Sequence, residues 1–213
     1  MAWEKRPSRA AVVAAMLITA AVGLVTVRLV TDIGRALPGR EGEAPDSGTV
    51  EIGGPFTLVD QYGQLRTEAD FRGKFTLVYF GYTFCPDVCP LEVAAMGAAI
   101  DALGPDGAEV VPVFITIDPA RDTVEQLKAF AGQFHPRLVA LTGTEAQIAE
   151  AARGYRVYYA KNDAGAAAAG APDDYLMDHT SIVYLMDEQG RYAAHFTHGT
   201  PADEMAARIA ELL

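Results

Sequence analysis

The sequence predicts an α/β domain, a mixed sheet flanked by helices, carried behind an N-terminal transmembrane helix. Three observations predict it. Residues 10–27 form an 18-residue run without charge. Two later segments, Phe75–Tyr82 and Ala108–Ile117, are β-branched and aromatic on both faces, as strands covered on both sides must be. Amphipathic helical stretches separate these strands from the ones that follow.

Residues 1–9 form a basic leader with Lys5, Arg6 and Arg9. In Ala10–Val27 only Thr19, Gly23 and Thr26 interrupt the apolar run, which reaches the length of a membrane span. Positive residues ahead of it favour an N-in orientation with the following domain exported, although Arg28 and Arg35 weaken that asymmetry. A cleaved signal peptide is the alternative, but no Ala-x-Ala site is well placed after the apolar core. The anchor is read as residues 10–31 and a linker as 32–54, its stretch from Pro38 to Gly54 rich in Gly, Pro and Glu. The globular domain is 55–213.

Within that domain Phe56–Val59 reads as a short strand, followed by a turn at Asp60–Gly63. Phe75–Tyr82 is a central strand and Val88–Leu103 a helix. Ala108–Ile117 is the second buried strand. A helix over Asp122–Phe134 is predicted from a capping-box pattern, Asp122 as N-cap with Glu125 three residues on. Leu138–Leu141 is a strand, Thr144–Arg153 a helix and Val157–Tyr159 a short strand. Ser181–Met186 and Tyr192–Phe196 flank the turn Asp187–Gly190 as a hairpin, and Ala202–Leu213 closes as a helix. Parallel crossovers first and an antiparallel pair last is the order of a thioredoxin-like fold. The loop Lys161–Tyr175 is Ala- and Gly-rich and reads as a mobile insert before the hairpin.

Charge narrows the partners. Of 17 basic and 28 acidic residues, six and two fall within residues 1–40, leaving 11 and 26, a net of −15, for the remainder. Such a surface repels phosphate backbones and argues against nucleic acid. It keeps the domain soluble.

The chemistry concentrates at Cys85 and Cys89, the only cysteines. They lie in Gly81–Pro90 (GYTFCPDVCP), where a buried strand gives way to a helix. That places both thiols at the carboxyl edge of the sheet, near a helix N-terminus whose free N–H groups favour thiolate. If the intervening residues are helical, their Cys-x3-Cys spacing puts both on one face. Three readings are open. A stabilising disulfide would close a loop too short to remove much chain entropy, since even about 15 residues is worth only about 3 kcal/mol. A thiol oxidoreductase suits the position, but the spacing is not Cys-x-x-Cys. A metal site would use two soft thiolates suited to Cu(I), or Zn with more partners. Two cysteines exclude a tetrathiolate site, so a further ligand must be histidine, methionine or a carboxylate.

Four histidines are available. His135 is expected on the surface. His195 and His198, at i, i+3, suggest a second metal pair only weakly against loop or surface roles. His179, between the insert and the strand Ser181–Met186, is well placed to present an imidazole.

Taken together, Gly81–Pro90, then Ile117–Thr123 (IDPARDT), then Asp178–Asp187 (DHTSIVYLMD) resemble the Sco/SenC family, over residues 50–213. The resemblance implies a thioredoxin-like fold and copper, as Cu(I) and also Cu(II), held by Cys85, Cys89 and His179. It implies export to the periplasm or intermembrane space. It also implies work on the binuclear copper site of a cytochrome c oxidase subunit: delivery of copper received from an upstream periplasmic donor, or reduction of that site's thiols. On this reading Cys85 and Cys89 also form a redox-active disulfide that abolishes copper binding. The runner-up, a thiol–disulfide reductase, uses the same sulfurs without His179. A redox sensor is a third reading, with no effector surface in the sequence to support it. Asp87 and Asp178 adjoin the ligands and are read as solvated or capping carboxylates before supporting groups. Asp118, Arg121 and Asp122 are read as loop-fixing and capping before partner contact, and Tyr158, Tyr159 and Tyr184 as core or rim aromatics. No function attaches to Ala164–Ala171.

Overall fold

The computed structural model describes Arg28 and residues 51–162 and 175–213. All the described strands belong to the unit Val50–Leu213. The predicted anchor, apart from Arg28, and residues 163–174 of the insert lie outside the described residues. Among the described residues no helix is long and apolar enough to cross a membrane.

The chain opens with a hairpin, β1 (Thr57–Asp60) and β2 (Leu65–Thr67). Its turn is built by Asp60, whose carboxylate accepts from the N–H groups of Tyr62 and Gln64 at 2.9 and 3.0 Å and from Arg66 Nε at 2.8 Å. Next come β3 (Phe75–Gly81), buried at every position, and α1 (Val88–Ala102). They are followed by β4 (Val110–Thr116), α2 (Val124–Ala131), β5 (Val139–Thr142) and α3 (Glu145–Gly154). A second hairpin, β6 (Tyr159–Asn162) and β7 (Leu176–His179), precedes a third, β8 (Ile182–Met186) and β9 (Tyr192–Thr197), and α4 (Ala202–Ala210) ends the fold.

Seven strands form one sheet in the order β2-β1-β5-β4-β3-β8-β9. β3, β4 and β5 run parallel, joined by helical crossovers, while β8 pairs antiparallel with β3 and β9 with β8. This is the mixed sheet the sequence predicts. Its centre is β3 and β4, where Leu77, Tyr79, Phe80, Phe114 and Ile115 are wholly buried. Each side chain of this kind contributes about 1.5–3 kcal/mol when buried. The strand's alternation directs the site. Phe80 points to one face and packs at a tilt against Tyr155, ring centroids 5.2 Å apart, the residue that caps α3. Tyr79 and Gly81 point to the other, toward α1 and Cys89.

Several expectations change. The N-cap of α2 is Thr123, whose hydroxyl accepts from the Gln126 N–H at 3.2 Å, and not Asp122. Asp122 is fully buried and bonds to other elements, so it cannot cap. α2 stops at Ala131, three residues short of Phe134, and Phe134 packs against Phe130, ring centroids 4.7 Å apart. The short strand expected at Val157–Tyr159 starts at Tyr159 and pairs with a strand the sequence did not reveal, β7. These two form their own two-stranded sheet.

Candidate metal centre

The segment between β3 and α1 folds so that Cys85 takes the place of a helix cap. Asp87 stands at the N-cap of α1 but its carboxylate makes no capping bond. Instead the Cys85 sulfur accepts the N–H of Cys89 at 3.4 Å. Pro90 is harmless in the first turn, where its missing N–H would have no helical partner. Gly81 makes room for the second sulfur. A Cβ there would lie 2.9 Å from Tyr79 Cε1, 3.0 Å from Cys89 Sγ and 3.0 Å from Phe114 Cε2. The two thiols are free, Cys85 half-buried and Cys89 fully buried.

Their acidities diverge. The Cys89 thiol beside it, with N–H bonds from Cys89 and Asp87 and a bond from the Tyr82 hydroxyl, pulls Cys85 down to about 5 against the cost of burial. Cys89 is pushed well above the ordinary thiol range, by the neighbouring Cys85 sulfur first and burial second. At neutral pH the pair carries one charge, on Cys85.

His179 ends β7 and brings its ring to the sulfurs. Its Nε2 lies 3.5 Å from Cys89 Sγ. Its Nδ1 lies 3.0 Å from the carbonyl oxygen of Thr180. A carbonyl only accepts, so Nδ1 carries the proton and Nε2 of the neutral ring offers a lone pair to the site. Two tyrosines pack edge-on against the imidazole, Tyr79 and Tyr82, each with centroids 6.1 Å from it. The Tyr79 hydroxyl is 3.7 Å from Cys89 Sγ and 3.2 Å from Ser181 Oγ.

Two sulfurs and an imidazole nitrogen make a soft donor set. Donors sharing a zinc-sized ion lie roughly 3.5–3.7 Å apart for a sulfur and a nitrogen at tetrahedral to trigonal angles. The Cys89–His179 separation of 3.5 Å fits. Among the described residues no three His, Cys, Asp or Glu side chains already enclose a common point, so these donors are near neighbours and not a finished cage. The same sulfurs can form a disulfide or, through the Cys85 thiolate, attack one.

The other sequence candidates separate. His135 is not a surface residue: its side chain is 9% exposed, packed against Gly97 of α1 and 3.6 Å from Asp101. Burial, and then Arg137, lower its pKa. His195 and His198 have different partners. The first meets the Tyr192 hydroxyl at 2.5 Å, and the second donates to Glu92 Oε1 at 2.6 Å. Asp178 faces away from His179 because strand residues alternate, and it accepts from Asn162 Nδ2 at 3.3 Å. Tyr184 lies in the core, Tyr159 is half-buried and Tyr158 is exposed. Asp122 is a tie: it accepts from Thr83 N–H at 3.0 Å, Thr83 Oγ1 at 2.6 Å and Thr116 Oγ1 at 2.5 Å, joining the end of β4 to the cysteine loop. Asp118 and Arg121 pair at 2.5 Å. Tyr79, Tyr82 and Tyr175 went unread as site residues, although the parity of β3 sets Tyr79 on the same face as Gly81.

Fold and site define a thioredoxin-like thiol domain with an imidazole brought in from a separate hairpin. The SCO1/SenC family model matches residues 44–213. The chain belongs to that family. It is 42% identical over 164 residues to "Protein SCO1 homolog 1, mitochondrial" of Arabidopsis thaliana, which covers 76% of this chain and 47% of that protein, about half its length. To a SCO2-like protein of Rickettsia prowazekii it is 39% identical over 156 residues, 73% of this chain and 74% of the relative. The structure of Bradyrhizobium japonicum ScoI with copper bound superposes with a TM-score of 0.68 at 41% identity, covering 76% of this chain and 99% of that one.

Proposed function

We propose that this chain is a copper metallochaperone that binds copper through Cys85, Cys89 and His179 and delivers it to, or helps mature, the binuclear copper site of cytochrome c oxidase. The observation that carries the reading is the imidazole: Nδ1 is tied to the Thr180 carbonyl, and Nε2 stands 3.5 Å from Cys89 Sγ. The copper-bound relative supports the choice of metal. Copper is cargo here. The reduced pair and His179 hold Cu(I), and the imidazole also suits Cu(II). An upstream periplasmic donor loads the site, and ligand exchange with thiols and imidazoles of the oxidase subunit unloads it. A two-electron oxidant such as a partner disulfide takes two electrons from the metal-free pair while the one thiol proton leaves Cys89; the Cys85–Cys89 disulfide forms and copper is left without its sulfur donors.

Residues 10–31 anchor the protein in the inner membrane with residues 1–9 in the cytoplasm. Residues 32–54 are the linker, and the domain 55–213 lies in the periplasm. A reporter fused after Leu213 and active only in the periplasm tests this; activity only of a cytoplasmic reporter rejects it.

The decisive experiment is anaerobic Cu(I) titration of the reduced chain followed by X-ray absorption. One copper with two sulfurs and one nitrogen is expected, and loss of the nitrogen with much weaker binding in His179→Ala. Unchanged binding by that variant rejects the site.

The half-exposed, acidic Cys85 favours a second reading, a thiol–disulfide reductase for the oxidase copper-site cysteines. The Cys85 thiolate attacks the partner disulfide, Cys89 resolves the mixed disulfide, and the partner leaves with both cysteines reduced. His179→Ala would keep that activity while Cys85→Ser lost it.

A further inference from the structure

The hairpin β6–β7 is outside the seven-stranded sheet, yet it carries His179. Where the imidazole stands is therefore decided by what fastens the hairpin to the domain. One fastening lies at Tyr175, the buried residue just before β7. Its hydroxyl donates to Asp118 Oδ1 at 2.8 Å. The guanidinium carbon of Arg121 lies 3.6 Å from its ring centroid. Arg121 Nε in turn donates to Asp118 Oδ2 at 2.5 Å. The same guanidinium reaches the cysteine loop, 4.8 Å from the Phe84 ring centroid and 5.8 Å from that of Tyr82. One planar cation thus touches three segments: the cysteine loop, the loop after β4, and the loop end of the histidine hairpin, where Tyr175 leads into β7. Its side chain is 14% exposed, so water competes little for these contacts. A lysine could pair with Asp118 but could not lay a flat face on several rings while donating a directed N–H.

We propose that Arg121 is a positioning residue for His179: it clamps the hairpin against the cysteine loop so that Nε2 stands beside Cys89. The inference rests on the copper reading of Cys85, Cys89 and His179. Arg121 works through placement, by way of Tyr175 and Phe84.

The test uses the full chain, reduced and anaerobic, with two readouts: amide hydrogen exchange of the metal-free protein and Cu(I) affinity by chelator competition. In Arg121→Gln, the β6–β7 amides should exchange about tenfold faster while those of β3 and α1 keep their protection, because contacts of this kind are worth about one decade. Cu(I) binding should weaken by about tenfold. Placed on His179→Ala, the same substitution should add less than twofold, since a residue acting through His179 has nothing left to act on. Arg121→Lys should resemble Arg121→Gln. Tyr175→Leu removes the clamp from the hairpin side, should reproduce both effects, and decides the matter if Arg121→Gln does not fold. Equal loss of affinity in the His179→Ala background, full rescue by lysine, or unchanged hairpin exchange would overturn the proposal. If the unsubstituted chain binds no Cu(I), the copper reading fails by itself, and hairpin exchange alone then judges the clamp.

Discussion

Cys85 and Cys89 are four residues apart and chemically unequal. Cys85 collects hydrogen bonds from Cys89, the Asp87 N–H and Tyr82, all favouring the thiolate, and remains partly open to solvent. Cys89 is sealed under Gly81 and Tyr79, where the Cys85 sulfur and then burial favour the neutral thiol. The sign of the Cys85 shift fixes a pH window. Its folded pKa is depressed, so the thiolate's stabilising contacts are fully present above the unfolded value of about 8.5 and are lost as pH falls through the folded value. Alkylation by iodoacetamide reports the thiolate. Between pH 8 and pH 6 an ordinary thiol slows roughly 75-fold. Cys85, pulled down to about 5, is expected to slow by roughly a tenth and to lose its reactivity only near pH 5. Peptide mapping by mass spectrometry should find Cys85 modified well before Cys89. The profile of an ordinary thiol, or preferential modification of Cys89, would show the assignment to be wrong.

At the scale of elements, the site depends on ties between segments far apart in the chain. Asp122 is one. It sits buried between β4 and the cysteine loop and accepts three hydrogen bonds from two threonines. Burial outweighs those bonds and raises its pKa. The sign here is opposite to that of Cys85: the charged form is disfavoured by folding, so this group's contribution improves as pH falls through the folded value toward the unfolded one. Asp122→Ala leaves the threonine donors unpaired and should cost about 1–3 kcal/mol in urea unfolding at pH 7. Asp122→Asn keeps an acceptor, should cost less, and should remove this group's gain on mild acidification. Equal stability of all three proteins would show that the tie carries no load.

The sheet strands and helices were legible because their periodicity is set by burial on one or two faces, as in Phe75–Gly81 and Val110–Thr116. The cysteines were legible because a strand running into a helix has few alternatives at that junction. Asp122 was misread as a cap because a capping motif records only local spacing, whereas two of the three bonds that claim this carboxylate come from 39 residues away at Thr83. The β6–β7 hairpin escaped because its strands are four residues long, exposed or half-buried throughout, and separated by residues 163–175. Such strands leave no alternating apolar signature. His179 was therefore found through its motif, while its placement at a strand end and its Nδ1 bond to Thr180 needed the fold.

For the whole molecule, the proposed donors come from two parts of different character. The sulfurs sit where the central sheet runs into α1, Cys89 wholly buried in the helix and Cys85 half-buried in the loop before it, and the nitrogen is mounted on a hairpin outside that sheet. An ion held by all three should join the two and stabilise the folded chain by mass action. At free Cu(I) about a thousandfold above the dissociation constant the gain is about 4 kcal/mol. For a chain of this length that corresponds to a rise in Tm of roughly 8–16 °C. Differential scanning fluorimetry of the reduced protein, with free Cu(I) set by a chelating buffer, should show this rise, and hydrogen exchange in β6–β7 should slow with it. The disulfide form has no sulfur donors to offer and should show neither effect until it is reduced again. His179→Ala should keep only part of the rise, with no protection transferred to the hairpin. A rise of equal size in the oxidised protein would mean that copper binds elsewhere on this acidic surface, and that the sulfur pair and the hairpin do not share an ion.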